Sequence, residues 1–550
     1  MNIFELASSI GLSNEDVEPR GWQVGKFAEG LATRLQSRPA GRYIGVTAIN
    51  PTPFGEGKTV VTIGLAMGLC KLGKKALCTL REPSLAPVFG IKGGGAGGGQ
   101  ATLVPLNEIN LHFTGDLHAI ASANNLLAAL IDNHTRRRQE PRIDESTISW
   151  RRCVDLCDKG LSHIVTGLDA HPQAPLRETG FDLTAASEVM AILALSEDLN
   201  DLRRRIGAIL VGSTPQGDPV KVEALGASGA MTALLKDAMR PNLVQTCEGT
   251  PCIVHAGPFA NIAHGNSSII GDRIALRLAD YVVTESGFGS DLGAEKLIHI
   301  KCRDRGFSPA VEVIVCTVRA IKYHSGRFDV RPGRPLPPSL LQENLEAIRE
   351  GISNLEAHVA IVKSFGVPAV VAINRHPTDT DSEIEWIKQL AIEKGASHVA
   401  VTQAFTRGGE GSLELADAVV RACECSSTAS PLYPLSASLE DKLDTVARRI
   451  YGADGIQLSA NAEKQLKRYA QLGYSDLPVC FAKTQYSLSH DPQRLGRPSG
   501  FHVPISDARI AAGAGFVYVL AGDIMTMPGL PSQPAAMRID VDPRGAITGM

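Results

Sequence analysis

Eight consecutive residues, Thr52, Pro53, Phe54, Gly55, Glu56, Gly57, Lys58 and Thr59, hold the densest chemical potential of the chain. A glycine-rich loop of this kind, placed between a buried strand and a helix, aims backbone N–H groups and the positive end of the helix dipole at an anion. Lys58 would then reach the terminal phosphates of ATP, and the Thr59 hydroxyl would face Mg²⁺. The strict pattern has glycine where this chain has Thr52. A second group, Arg81-Glu82-Pro83-Ser84, follows the next apolar run. The planar fork of Arg81 suits a carboxylate or an acyl phosphate, and a surface pairing with Glu82 is the alternative. Seven glycines crowd Gly90–Gly99, a density that neither helix nor strand tolerates. Between ordered apolar segments, such a tract reads as backbone brought close to a ligand. Asp116, a little further on, has the chemistry to orient Mg²⁺ or its waters, whereas His112 and His118 suit hydrogen-bonding roles equally well.

These groups need a scaffold, and the apolar pattern supplies one. Arg42–Asn50 is an apolar run of strand length, and Lys58–Leu72 repeats Val61, Leu65 and Leu69 at helical spacing. Strand, glycine turn and helix open a nucleotide-binding βα unit. Ala76–Leu80 reads as the next strand, and the alternation continues at Ile206–Val211, Tyr281–Thr284, Val311–Val318 and Ala369–Asn374. A helix is expected over Thr378–Lys394, with Asp381 and Glu383 in its early turns. The fold class is therefore α/β: a large domain like that of P-loop nucleotidases, with a mostly parallel sheet flanked by helices, plus smaller α/β domains. Arg327–Ser339, rich in Pro and Arg, and Ala422–Ser436 read as breaks.

Composition narrows the function. The chain has 550 residues, with 55 Lys+Arg against 58 Asp+Glu, a formal net charge of −3. That balance argues against a nucleic-acid or membrane-surface binder. Hydrophobic residues make up 44%, enough for several cores. No run approaches the roughly 20 apolar residues of a membrane span, and the N-terminal segment lacks the pattern of a signal peptide. The expectation is a cytoplasmic protein with reduced thiols, since the 11 cysteines form no zinc-type spacing.

A longer set of motifs appears in order: TPFGEGKT, REPSLAPVFGIKGGGAGGGQ, NLHFTGDLHAI, KDAMRPNLVQT, GPFANIAHGNSS, VVTESGFGSDLGAEK, IKCR, YGADGI, LPVCFAKTQYS and IMTMPGLPSQPAA. Together they resemble the formate–tetrahydrofolate ligases, from about Phe27 to Ile547. The resemblance implies ligation of formate to tetrahydrofolate with MgATP through a formyl phosphate intermediate. It also implies a homotetramer stimulated by potassium or ammonium. Thr52–Thr59 matches the family's ATP loop, and Arg81 matches the arginine that grips formyl phosphate, with Glu82 beside it in the catalytic motif. Phe288 matches one aromatic wall of the pterin pocket. Phe405 stands where the family usually has the second wall, a tryptophan, and His376 replaces an apolar ring beside Pro377. His255 and His264 lie in a strongly matching loop with open roles. The Arg20–Val24 stretch departs from the family pattern. Three domains are expected: a catalytic domain over 1–330, a second α/β domain over 331–430 contributing to the folate pocket, and a C-terminal α/β domain over 431–550. A P-loop ATPase that drives a partner, and a non-catalytic folate binder, are the competing readings; neither accounts for Lys58, Thr59, Arg81 and Glu82 together.

Overall fold

A computed structural model describes residues 1–92, 94–168, 176–330, 335–522, 524 and 526–550. Gly93 of the glycine tract, residues 331–334 of the Arg327–Ser339 break and Met525 of the C-terminal motif therefore lie outside the described residues. Among these described residues, twelve strands make one sheet: Val17–Pro19 (β1), Gly25–Phe27 (β2), Arg42–Ala48 (β3), Ala76–Leu80 (β4), Gly97–Gly98 (β5), Ala101–Val104 (β6), Asn242–Thr246 (β7), Pro251–Val254 (β8), Tyr281–Glu285 (β9), Val311–Cys316 (β10), Ala369–Asn374 (β11) and His398–Thr402 (β12). Their order is β1-β2-β7-β8-β4-β9-β3-β10-β11-β12, with β6 beside β7 and β5 beside β6. From β8 to β12 every pairing is parallel. Those strands are apolar nearly throughout because helices cover both faces.

The helices that matter for the site are Lys58–Lys71 (α1), Asp116–Arg136 (α2), Val318–Tyr323 (α3), Leu345–Ser364 (α4), Asp381–Glu393 (α5) and Leu413–Ala422 (α6). In α1 every residue from Val61 to Leu69 is buried, between the sheet on one side and α6 on the other. On the opposite face α4 packs over β10 and β11. A second, four-stranded sheet contains Gly455–Leu458 (β13), Val479–Ala482 (β14), His502–Ala511 (β15) and Phe516–Ala521 (β16), in the order β13-β15-β16-β14. Its core is continuous with that of α4: Val371, Leu355, Phe481 and Val503 belong to one apolar cluster. Among the described residues no helix is long and apolar enough to cross a membrane.

Two expectations need correction. The domain boundary at residue 330 does not separate two sheets, because β10 pairs with β11 across it over Glu312–Cys316 and Ala369–Ile373. Ile206–Val211 is not a strand of the parallel sheet. Its first half ends the helix Leu199–Ala208, and the following strand Leu210–Ser213 pairs antiparallel with Pro219–Lys221 in a small separate sheet. The apolar run there serves a buried helix end as well as a strand, an ambiguity that periodicity alone leaves open.

One cross-strand pair next to the site is unusual. Glu312 of β10 lies opposite Gly45 of β3, and a Cβ on Gly45 would fall 2.1 Å from the Glu312 carboxyl. Glycine thus leaves room for the carboxyl in the middle of the sheet. Both carboxyl oxygens are buried without a hydrogen-bond partner, and burial pushes the group up to about 8. In the unfolded chain a glutamate titrates near its ordinary value of about 4.3. Between those values the unfolded chain releases a proton that the native state keeps, so native stability falls as pH rises and the contribution is lost by about pH 8. Glu312→Gln should therefore raise the melting temperature little at pH 5 and substantially at pH 8.5, a differential on the order of several kcal/mol. Melting curves of both proteins across that range check it; a constant difference would mean that the carboxyl is not held protonated.

Candidate active site

The carboxyl ends of the parallel strands bring the chemistry-bearing loops to one edge, as open α/β sheets do. In spatial order these are the loop after β8 with His255 and His264, Arg81 after β4, Glu285–Gly289 after β9, the Thr52–Thr59 loop after β3, Arg319 after β10, Asn374–Pro377 after β11 and Phe405 after β12. The Thr52–Thr59 loop thus sits in the middle of the edge.

Its closure explains Thr52. The Thr52 N–H and hydroxyl both donate to one oxygen of Glu56, at 2.8 and 2.7 Å, so the residue that departs from the glycine pattern ties the loop to itself. Burial pushes the Glu56 carboxyl up, opposed by the Thr52 hydroxyl and by the charges of Lys58 and Arg319. Gly57 precedes α1 with φ +77°, a left-handed conformation that side chains disfavour. A Cβ there would also fall 2.4 Å from the amide nitrogen of Asn374, which donates to the Glu56 carbonyl at 2.9 Å. Lys58 and Thr59 are the first two residues of α1, both half-buried. Phe54 meets Tyr323 edge-on at 6.0 Å, while Pro53 is half-buried beside it.

Beneath the loop lies a buried polar cluster that the sequence reading did not find. Asn50 donates its N–H to Asn354 Oδ1 at 3.2 Å and its amide to Asp291 Oδ2 and the Gln485 carbonyl at 3.4 and 3.2 Å. Its Oδ1 accepts from Asn354 and from His358 Nε2, at 2.9 and 3.1 Å, and its carbonyl accepts from His324 Nε2 at 3.0 Å. Burial pushes both histidines down to about 4, so they are neutral, and these partners assign the proton to Nε2. Lys483 Nζ pairs with Asp291 at 2.9 Å and donates to the carbonyls of Thr484 and Ser487 at 2.9 and 2.6 Å. The C-terminal unit is thereby fastened to the base of the Thr52–Thr59 loop.

Arg81 points across the edge. Its Nη1 donates to the Pro258 carbonyl at 3.2 Å and its Nη2 lies 3.4 Å from Glu285 Oε1. The loops it meets contain Ala256 at φ +51° and Phe288 at φ +61°, both rare for residues with side chains and a mark of stored backbone strain. His264 is buried in the same region and held well below its ordinary value by burial, then by Lys301 and Arg81. His255 is satisfied by Ser268 and the Ala238 carbonyl, both at 2.6 Å. Glu82 is not turned toward solvent beside Arg81. It is buried, pushed well above its ordinary value by burial and by Asp116 and Asp155, with Lys26 opposing. Asp116 begins α2 and binds Lys26 Nζ through both oxygens, at 2.8 and 3.0 Å, while Asn242 donates to it at 2.9 Å. Its oxygens are therefore taken up inside the protein. His112 and His118 are exposed.

The rings expected around a pterin take different surroundings. Phe288 is half-buried, Pro377 is exposed and Phe405 is 55% exposed. Phe405 rests on the glycine tract: its carbonyl accepts from Gln100 N–H at 2.8 Å, and a Cβ on Gly99 would fall 2.1 Å from that carbonyl. At Gly99 the tract thus comes close to the protein's own backbone. The Ala535–Met537 turn of the C-terminal motif packs on the segment Val88–Lys92 that leads into the tract.

Comparison with known proteins places the whole chain in one family. The family model described as formate–tetrahydrofolate ligase matches residues 1–550. The chain is similar to the formate–tetrahydrofolate ligase of Roseiflexus sp. (strain RS-1), 52% identical over 548 residues, covering 100% of this chain and 97% of that one. It is likewise similar to that of Desulforamulus reducens, 50% identical with 100% and 97% covered, and of Saccharopolyspora erythraea, 50% identical with 99% and 96% covered.

Lys483→Met tests the buried cluster. It leaves the Asp291 carboxylate in the interior without its cation, a change that typically costs about 3–5 kcal/mol. The melting temperature should fall sharply, and adding Asp291→Asn should recover part of the loss. A single variant as stable as the parent would show that the pair does not hold the two units together.

Proposed function

The chain belongs to the formate–tetrahydrofolate ligase family and, as a member, ligates formate to tetrahydrofolate in an ATP-dependent reaction; from that premise we propose where and how its residues do the chemistry. The observation that carries the proposal is the convergence of Lys58, Arg81 and the Glu285–Phe288 loop at one sheet edge, flanking the N-terminus of α1. The unpaired backbone N–H groups of the first turn of α1, together with its dipole, hold the ATP phosphates, and Lys58 offsets the charge at the phosphoryl group that moves. The Thr59 hydroxyl is the chain's donor to the Mg²⁺ that enters with ATP, which supplies charge neutralisation there. Asp116, bonded to Lys26 and Asn242, is left out of that role.

Formate then attacks the γ-phosphorus through one carboxylate oxygen; a new P–O bond forms, the bond to the bridging oxygen breaks, and ADP leaves. Arg81 holds formyl phosphate with its two-pronged fork. The folate N10 amine attacks the formyl carbon, the C–O bond to phosphate breaks, and the amine proton is lost as 10-formyltetrahydrofolate and inorganic phosphate form. Glu82 positions Arg81 from below: its N–H donates to the Ala256 carbonyl at 2.7 Å, fixing the strand end from which Arg81 projects. Phe288, Pro377 and Phe405 make the pterin pocket, with Phe405 giving a smaller stacking face than tryptophan. A homotetrameric, cytoplasmic protein stimulated by potassium or ammonium belongs to the same proposal and follows from family resemblance alone.

The test is ATP turnover with formate, with tetrahydrofolate, with both and with neither. Turnover should be substantial only with both, and Arg81→Lys should lower kcat by about two orders of magnitude while leaving ATP KM nearly unchanged, because the charge stays and the fork is lost. Hydrolysis indifferent to formate would contradict the proposal.

Phe405→Ala addresses the pocket. Aromatic stacking contributes roughly 0.5–1.5 kcal/mol beyond area burial, so the tetrahydrofolate KM should rise about three- to tenfold with ATP KM unmoved. Unaltered folate kinetics would place this ring outside the pocket.

A further inference from the structure

Arg319 is a residue that neither the loop motifs nor the arginine motif pointed to. It is the second residue of α3, at the carboxyl end of β10, and β10 is the immediate neighbour of β3 in the sheet. Adjacent strands lie about 4.8 Å apart, so Arg319 stands one strand from the phosphate loop on the side opposite Arg81, which is two strands away. Its guanidinium carbon lies 5.0 Å from the centre of the Phe54 ring, inside the Thr52–Thr59 loop. Its charge reaches Glu56 of that loop and His376 and Asp379 of the segment after β11.

What singles it out is a guanidinium Nε that is buried without a hydrogen bond. The other buried or half-buried cations around the edge are engaged: Lys26 with Asp116, Lys322 with Glu383, Lys483 with Asp291 and Arg81 with Pro258 and Glu285. Among the described residues Arg319 makes no close ion pair: Asp379 and Glu56 act on it through their charge alone, and its Nε is buried without a hydrogen bond. A guanidinium N–H withdrawn from water and left unmade costs more than a neutral donor, so such a group is normally found with an anion. With its guanidinium over the Phe54 ring, the fork is held at the loop, where it suits bidentate contact with a phosphate.

We propose that Arg319 is a nucleotide-binding residue that contacts the phosphates of ATP from the β10 side of the loop, opposite Arg81. This rests on the assignment of Thr52–Thr59 to ATP, and it goes further by placing the phosphate chain between two arginines rather than beside one. Phosphate is favoured over the carboxylates of folate because Arg319 lies against Phe54 of the nucleotide loop itself; Pro377 of the pterin pocket comes from the next strand end, and the tetrahydrofolate measurement separates the two.

The experiment is calorimetric binding of MgADP and, separately, of tetrahydrofolate to the full chain and to Arg319→Lys and Arg319→Met, with melting curves as a check on folding. MgADP should bind the parent, bind Arg319→Lys at least threefold more weakly and bind Arg319→Met at least tenfold more weakly, while tetrahydrofolate affinity stays within twofold. If Arg319→Met does not fold, Arg319→Lys decides on the same criterion. Unchanged MgADP affinity in the folded variants overturns the proposal, as does a loss confined to tetrahydrofolate or shared equally by both ligands. Failure of the parent itself to bind MgADP would instead overturn the nucleotide-loop assignment beneath it.

Discussion

The site depends on holding one short connection, the turn from β3 into α1, at a fixed place while other strand ends approach it. Asn50 does most of that holding. Its backbone and side chain use donors and acceptors from α4, from the end of α3, from the loop after β9 and from the C-terminal unit. A buried polar group that loses its partner costs about 1–3 kcal/mol, so displacement of any one of these elements is resisted by several bonds at once. The Thr52–Thr59 loop is therefore anchored from both ends: by Asn50 before it and by the Asn374–Glu56 bond just before α1.

Buried ion pairs extend the same logic outward. Lys26–Asp116 fixes the start of α2 under Glu82, Lys322–Glu383 joins α3 to α5, and Lys483–Asp291 joins the C-terminal unit to the loop after β9. Such pairs contribute little net stability compared with apolar packing, because both ions leave water. Their effect is geometric: each has one good partner, so each fixes a register between segments far apart in sequence. Arg319 departs from that rule, and it does so at the point where the nucleotide loop and the segment after β11 come together.

Much of this was legible in the residues. β3, α1, β4, β9, β10 and β11 follow from apolar runs and helical spacing, and the tight turn between β3 and α1 follows from the glycines placed there. These are local signals, in which neighbouring residues decide the structure. What was not legible depends on pairings across hundreds of residues. The sheet continues past residue 330 because β10 and β11 join through hydrogen bonds that leave no mark in composition. The role of Thr52 depends on Glu56 being buried, and Asp116 is occupied by a lysine 90 residues earlier. The glycine tract was expected to bring its backbone close to a ligand; its close neighbour at Gly99 within the protein is the Phe405 carbonyl. Asn50 and Arg319 have no motif of their own; only the packing shows that one is saturated with hydrogen bonds and that the other keeps a buried Nε without one.

The central claim is that this edge makes an acyl phosphate from formate before the folate amine reacts. The most direct measurement is the fate of oxygen in a single round of ligation with ¹⁸O-labelled formate, ATP and tetrahydrofolate. If a formate oxygen attacks the γ-phosphorus and the C–O bond is later broken, one labelled oxygen must appear in the inorganic phosphate. Phosphate free of label, with 10-formyltetrahydrofolate formed, would contradict the account.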